Sequence, residues 1–394
     1  MSGFRTRLEY VLKHSVAINA IFRFCISAFL KFCGLFIRMD EKGVLFSAHG
    51  RKYNDSPRCI YEYMIALARF RDFRFYWALE NPDEVDIPGN CTKIKADTFK
   101  YFLTALKCKY WITCVNIERS LRFKKRQTVY LNTWHGIPIK TVGNEAAGRK
   151  DYDFSYLDFF CISGSFEKEV YYRSFCVTER QLLKTGMPRN DFLYNVSQEQ
   201  IQQLKEKLGL PVEKKVILYA PTWRDSKDGG KTYAIRPPMN LDIWRQRLGS
   251  EYVLLFRTHP YTTKLLDVTF DDFVRDYSNY PSINELLAVS EILISDYSAT
   301  IFDYAILERP IICFAYDLEE YRRERGFVLD VEKEMPNGIA RNEQEVLEQI
   351  RNMDYALACS KTKEFKERYM EYGGNATSQC VESVFGHEER EVCS

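Results

Sequence analysis

Residues 292–307 read ILISDYSATIFDYAIL. Three apolar residues run into a short Ser-Asp-Tyr-Ser turn, and apolar residues then return at helical spacing. A buried strand feeding straight into a helix is half of a parallel unit, because parallel strands need a crossover that is usually helical. The unit recurs on both sides. VILYAPTW (216–223), YVLLFRTH (252–259), DDFVRDY (271–277) and PIICFAY (310–316) read as strands, whereas INELLAVS (283–290) and EQEVLEQIRNM (343–353) read as helices. An earlier series has the same alternation. Its strands are VLFSA (44–48), FRFYWAL (73–79), YWITCV (110–115), QTVYLNTW (127–134) and the end of DYDFSYLDFFCIS (151–163); its helices are RCIYEYMIALARF (58–70), TFKYFLTALKCK (98–109) and SFEKEVYYRSF (165–175).

Between the two series lies QEQIQQLKEKLGLPVEKK (198–215), polar, helical and closed by Gly209 and Pro211. A chain of 394 residues suits about two core domains. The expectation is an α/β protein of two Rossmann-like domains facing a cleft. Residues 39–205 form the first domain, and 206–394, with the C-terminal helices, form the second.

Composition narrows the function. The formal net charge is +2, which argues against a chain that coats nucleic acid. The 12 cysteines are scattered, with no C-x-x-C pair and no histidine at ligand spacing, so reduced thiols rather than a metal site are expected. Asp151 and Asp153 make a D-x-D pair, but in a tyrosine-rich polar segment that reads as a solvated turn. Residues 1–38 stand apart: Arg5, Arg7, Lys13, Arg23, Lys31 and Arg38 face one acid, Glu9, around apolar runs. Residues 16–37 are long enough to cross a bilayer, but Arg23 and Lys31 would then cost about 2.5–3.5 kcal/mol each near its centre. A basic amphipathic helix lying in an anionic membrane surface fits better, with a helix packed on the protein's own core as the alternative.

The residues suited to chemistry lie just past strand ends. His135 follows 127–134; Thr222 and Arg224 follow 216–221; Arg257 and His259 close 252–259; Ser295, Asp296, Ser298 and Thr300 follow 292–294. A helix start rich in Ser and Thr offers free N–H groups and hydroxyls to an anion. The same residues also serve as plain helix caps, and the pattern leaves both readings open. A histidine titrates near neutrality, as a general base must. No P-loop, G-x-G-x-x-G, H-E-x-x-H or G-x-S-x-G motif is present.

Taken in order, SAHGRKYNDSPRCIYEYM (47–64), LNTWHGIPIKTVG (131–143), TGMPRND (185–191), ILYAPTWRD (217–225), LFRTHP (255–260) and the block from Ser295 to Asp330 resemble the CDP-glycerol glycerophosphotransferases of teichoic-acid synthesis. The resemblance implies a metal-independent GT-B enzyme without a cofactor, peripheral to the cytoplasmic face of the bacterial membrane. Its donor would be CDP-glycerol, or CDP-ribitol, and its acceptor a lipid-linked saccharide or a polyol-phosphate chain. It casts His135 as general base and His259, with Arg257, as donor-diphosphate residues. Ser295, Asp296, Ser298 and Thr300 would meet the donor phosphates, with Thr222 and Arg224 nearby. Gly136, Pro138, Gly186, Arg189 and Asp191 would shape the cleft. A GT-B sugar transferase or epimerase, and a scaffold without activity, are the competing readings.

Overall fold

The computed structural model describes residues 16–148, 150–222, 234–235, 238–258, 264–265 and 268–386. His259, Arg224 and residues 1–15 lie outside the described residues. Two parallel sheets carry the fold. The first has seven strands: β1 (Asp40–Ser47), β2 (Arg74–Leu79), β3 (Cys91–Lys95), β4 (Cys108–Thr113), β5 (Val129–Asn132), β6 (Phe159–Ile162) and β7 (Leu182–Lys184). Their order is β3-β2-β1-β4-β5-β6-β7. In the second half come β8 (Lys215–Tyr219), β9 (Ala234–Ile235), β10 (Tyr252–Phe256), β11 (Lys264–Leu265), β12 (Val274–Asp276), β13 (Ile292–Ser295), β14 (Ile311–Phe314) and β15 (Ile339–Ala340). Six of them make the sheet β12-β10-β8-β13-β14-β15, and β9 pairs with β11 apart from it.

In both sheets the winding reverses beside the first strand, between β1 and β4 and between β8 and β13. Such reversals leave a crevice at the carboxyl ends of the strands, where open α/β sheets bind ligands. The strands are near-continuous apolar runs because helices cover both faces. On the first sheet, α3 (Phe99–Lys107) and α4 (Ser165–Phe175) cover one face and α2 (Asp55–Ala66) the other. The second sheet is covered on one side by α6 (Gln198–Lys207), α8 (Ile283–Val289), α9 (Thr300–Ala305) and α13 (Tyr355–Tyr369), and on the other by α7 (Leu241–Leu248) and α12 (Glu343–Arg351). The remaining helices are α1 (Val16–Phe36), α5 (Asp191–Asn195), α10 (Leu318–Arg325), α11 (Val331–Glu334) and α14 (Ala376–Phe385).

One allocation differs from the sequence-based boundary. Helix α14 follows the second domain but packs on the first, with Cys380, Val381, Val384 and Phe385 in the core beside α2. The Phe385 ring lies 4.4 Å from that of Tyr110 and 5.2 Å from that of Phe70. Burial of four adjacent apolar side chains against an aromatic face outweighs sequence proximity, at roughly 1.5–3 kcal/mol for each large one. The crossing needs glycine: a Cβ on Gly186 (φ +77°) would stand 2.6 Å from the Tyr372 carbonyl oxygen. Asp191 then secures the helix, its carboxylate accepting from Ala376 N and Thr377 N, both at 2.8 Å. Gly186 and Asp191 thus hold the returning tail.

Helix α1 docks by one stripe. Leu30 is buried, Ser27 Oγ accepts from Arg122 N at 3.0 Å, and Arg23 pairs with Asp151 at 3.6 Å. Its other side is apolar and open, with Phe24, Phe32, Leu35 and Phe36 each at least 59% exposed.

The capping carboxylate yields a prediction. Asp191→Ala should cost about 0.5–2 kcal/mol in urea unfolding and raise amide exchange in 376–385 before the rest of the chain. Unchanged exchange there would mean the aromatic contacts alone hold α14.

Candidate functional site

His135 stands where the two domains touch. Strand β5 ends at Asn132, whose Oδ1 accepts from Trp134 N at 2.8 Å and turns the chain sharply. Trp134 takes a left-handed φ of 54°, a strained conformation for a bulky residue, and its ring packs at a tilt on Phe175 with centroids 4.5 Å apart. The turn aims His135 back across β4. Its Nδ1 lies 2.7 Å from the Cys114 carbonyl oxygen. A carbonyl only accepts, so Nδ1 carries the proton and Nε2 is left as the basic nitrogen. His135 is half-buried. Desolvation, aided by His49 and Arg189 and opposed by the Cys114 bond and Asp55, lowers its pKa to about 4. The ring is therefore neutral at physiological pH, the state a base requires.

The chain after His135 leaves the first domain. A Cβ on Gly136 (φ +152°) would lie 2.6 Å from the Ala299 Cβ, so only glycine admits this contact with the start of α9. Ile137 and Ile139 enter the second domain's core, and Pro138 is buried between them. Val328 N donates to Ile139 O at 2.9 Å, closing a short antiparallel bridge beside Lys140 and Phe327. Gly136 and Pro138 thus carry the chain across the junction.

Arg189 locks the same place. Its guanidinium reaches Asp55 (2.9 Å) at the start of α2, the His135 carbonyl (3.0 Å) and Asp303 (2.8 Å) on α9. Asn190 Nδ2 donates to the other Asp303 oxygen at 2.7 Å. Burial would raise the Asp55 pKa, but Arg189, the Ser56 N–H and the two histidines outweigh it and leave it lowered. Burial pushes Asp303 up against the pull of Arg189 and Asn190. The Arg189 cation is strengthened by both carboxylates despite its own burial.

Within the second domain, the expected anion residues divide. Ser295 is buried, and its hydroxyl donates to Ala220 O at 2.6 Å. Asp296 is also buried, and Oδ1 accepts from Thr222 N and Tyr297 N, both at 2.7 Å. These two brace the loops after β8 and β13, and a carboxylate there would repel a phosphate. The expectation of donor-phosphate contacts stands beside these backbone bonds. Ser298 and Thr300 remain half-exposed, with Ser298 Oγ 3.0 Å from Thr300 Oγ1, and they flank Ala299 against Gly136. Arg257 is half-buried at the end of β10, its guanidinium donating to Tyr277 O at 3.2 Å.

Five participants went unassigned from the sequence. His49 follows β1 as His135 follows β5, each with glycine behind it, and their ring centroids lie 5.3 Å apart. That repeated His-Gly at strand ends was the available signal. Asp55 and Asp303 have no local pattern that singles them out. Glu167 and Tyr171 show i,i+4 spacing on α4. The Tyr171 hydroxyl bonds to Glu167 Oε1 (2.7 Å) and lies 3.3 Å from Gly136 O. Burial raises Glu167 to about 7.

The comparisons with known proteins agree with this arrangement. Residues 29–386 match the family model of CDP-glycerol:poly(glycerophosphate) glycerophosphotransferases. The chain belongs to that family. It is 32% identical, over 87% of its length, to a teichoic acid poly(glycerol phosphate) polymerase of Staphylococcus epidermidis, and it spans about half (50%) of that relative. A teichoic acid glycerol-phosphate transferase of Staphylococcus aureus is 32% identical over 81% of this chain and 86% of its own. Among solved structures, a His-to-Asn variant of the wall teichoic acid polymerase TagF soaked with CDPG superimposes with a TM-score of 0.79 at 30% identity, covering 90% of this chain and 91% of that one. The GT-B arrangement of this family is the one seen here.

The buried charges at the junction carry the next prediction. Arg189→Met should destabilise the protein by about 3–5 kcal/mol, because two carboxylates lose their cation. Equilibrium denaturation measures it, and a loss under ~1 kcal/mol would mean that Asp55 and Asp303 find other partners.

Proposed function

We propose that this chain transfers glycerol phosphate from CDP-glycerol to a hydroxyl of a polyol-phosphate or lipid-linked acceptor, releasing CMP. The observation that carries the reading is the contact of Gly136 with Ala299, which brings the residue after His135 to the start of α9, where the hydroxyls of Ser298 and Thr300 are half-exposed. His135 Nε2 takes the acceptor's proton as its oxygen attacks the β-phosphorus. Ser298, Thr300 and Arg257 steady the diphosphate as the bond to CMP breaks. His259 and Arg224, in segments adjoining β10 and β8, are assigned to the donor on the family pattern. Glycerol is favoured over ribitol because relatives named for glycerol phosphate match over 87% and 81% of this chain, whereas two ribitol-phosphate polymerases of Staphylococcus aureus match over 68% of it. Family membership and the pairing of His135 with the helix start favour this reading over a sugar transferase or an inactive scaffold.

His135→Ala should lower kcat by about 10²–10⁴-fold while calorimetric CDP-glycerol binding persists. The acid limb of kcat/KM assigned to His135 should fall near pH 4 rather than 6.5. The sign follows from burial: between those pH values the unfolded chain binds a proton that the folded chain refuses, so stability also declines as pH falls through that window. Near-normal turnover in the variant would remove His135 from the chemistry.

The open face of α1 supports peripheral attachment to an anionic membrane at the cytoplasmic side. Residues 18–36 are apolar enough to cross a bilayer, yet one stripe is docked on the first domain and Lys31 and Arg38 are exposed. Phe24→Ser with Phe32→Ser and Leu35→Ser should abolish pelleting with phosphatidylglycerol vesicles at an unchanged unfolding midpoint. Retained pelleting would place the membrane contact elsewhere.

A further inference from the structure

We propose that His49 is the proton exit of the site, passing to solvent the proton that His135 takes from the acceptor. The inference rests on His135 acting as the base. In the transfer, an acceptor O–P bond forms and the P–O bond to CMP breaks. CMP leaves as a phosphate monoester whose second pKa is about 6, so above that pH it does not keep the proton. The proton therefore rests on His135 Nε2 and must leave before the next turnover.

His135 is poorly placed to keep it. Its ring is packed beneath Trp134, with centroids 4.1 Å apart, and its Nδ1 is tied to Cys114. The neighbouring cation is Arg189, which is committed to Asp55, Asp303 and the His135 carbonyl. His49 is the other imidazole at this spot. It lies 5.3 Å away by ring centroids, within reach of a transfer through one water, and it is exposed where His135 is half-buried. It sits at the sheet's reversal point, beside the crevice where a ligand would lie. The charged or titratable groups facing it are His135, Asp55, Arg189, Lys52 and Cys114. Desolvation lowers its pKa, Asp55 raises it, and Arg189 and Lys52 lower it. His49 thus accepts the proton transiently and releases it to water, leaving His135 neutral.

The test measures initial rates of full-length His49→Asn and His49→Gln on CDP-glycerol and a soluble glycerol-phosphate oligomer, across imidazole concentrations at fixed ionic strength. In dilute buffer, kcat should fall about ten- to a hundredfold, toward the lower bound of a lost proton-transfer group. The KM for CDP-glycerol should stay within about twofold, and imidazole should restore kcat saturably while leaving the unsubstituted protein unaffected. Unchanged kcat in both variants overturns the relay. So does a raised KM without imidazole rescue, which would make His49 a substrate contact. His135→Ala separates the two levels: full turnover there sinks the base itself, whereas an inactive His135→Ala beside a fully active His49→Asn sinks only the relay.

Discussion

The guanidinium of Arg189 is the interaction on which the arrangement depends. It touches the start of α2, the backbone of His135 and the first turns of α9, and so belongs to both domains. A buried ion triad of this kind is weak evidence for stability, because desolvating three charges offsets most of their attraction. Its use is geometric. A planar fork with fixed donor directions accepts a narrow range of partner positions, which fixes α9 relative to the loop carrying His135. Lysine would supply the charge without that fork.

The rest of the junction follows from the same constraint. With α9 held at Asp303, the chain at 136 must pass Ala299 closely enough to exclude any side chain. Ile137 and Ile139 then bury in the second domain, and α14 returns the favour by burying in the first. Each domain thus supplies part of the other's core, and their reversal points face a shared space. The histidine is half-buried and lies one residue from the contact with the start of α9.

Much of this was legible in the sequence. The strand and helix alternation set out both sheets, and His135, Ser298 and Thr300 stood where a parallel sheet presents its ligands. Among the edge strands, β3 and β7 were not legible, nor was the two-residue β15. β3 reads CTKIK, with Ile94 its one buried side chain, and β7 is three residues long, so neither shows an apolar run. Helix α14 was placed with the wrong neighbours because its partner surface lies some 300 residues away in sequence. Ser295 and Asp296 carry the pattern of an anion site, but strand-end geometry turns them inward to neighbouring backbone. Polar residues at such positions satisfy loops as readily as they bind ligands. His49 went unassigned because its role depends on a ring two strands away.

The proposed reaction is a phosphodiester transfer from a CDP-polyol at the junction of the two domains. Its most direct test is to incubate the protein with CDP-glycerol and a glycerol-phosphate oligomer and to follow product mass together with nucleotide release. The acceptor should grow in whole glycerol-phosphate increments, with one CMP released per increment. Intact CDP-glycerol, or growth only when a nucleotide sugar is supplied, would contradict it.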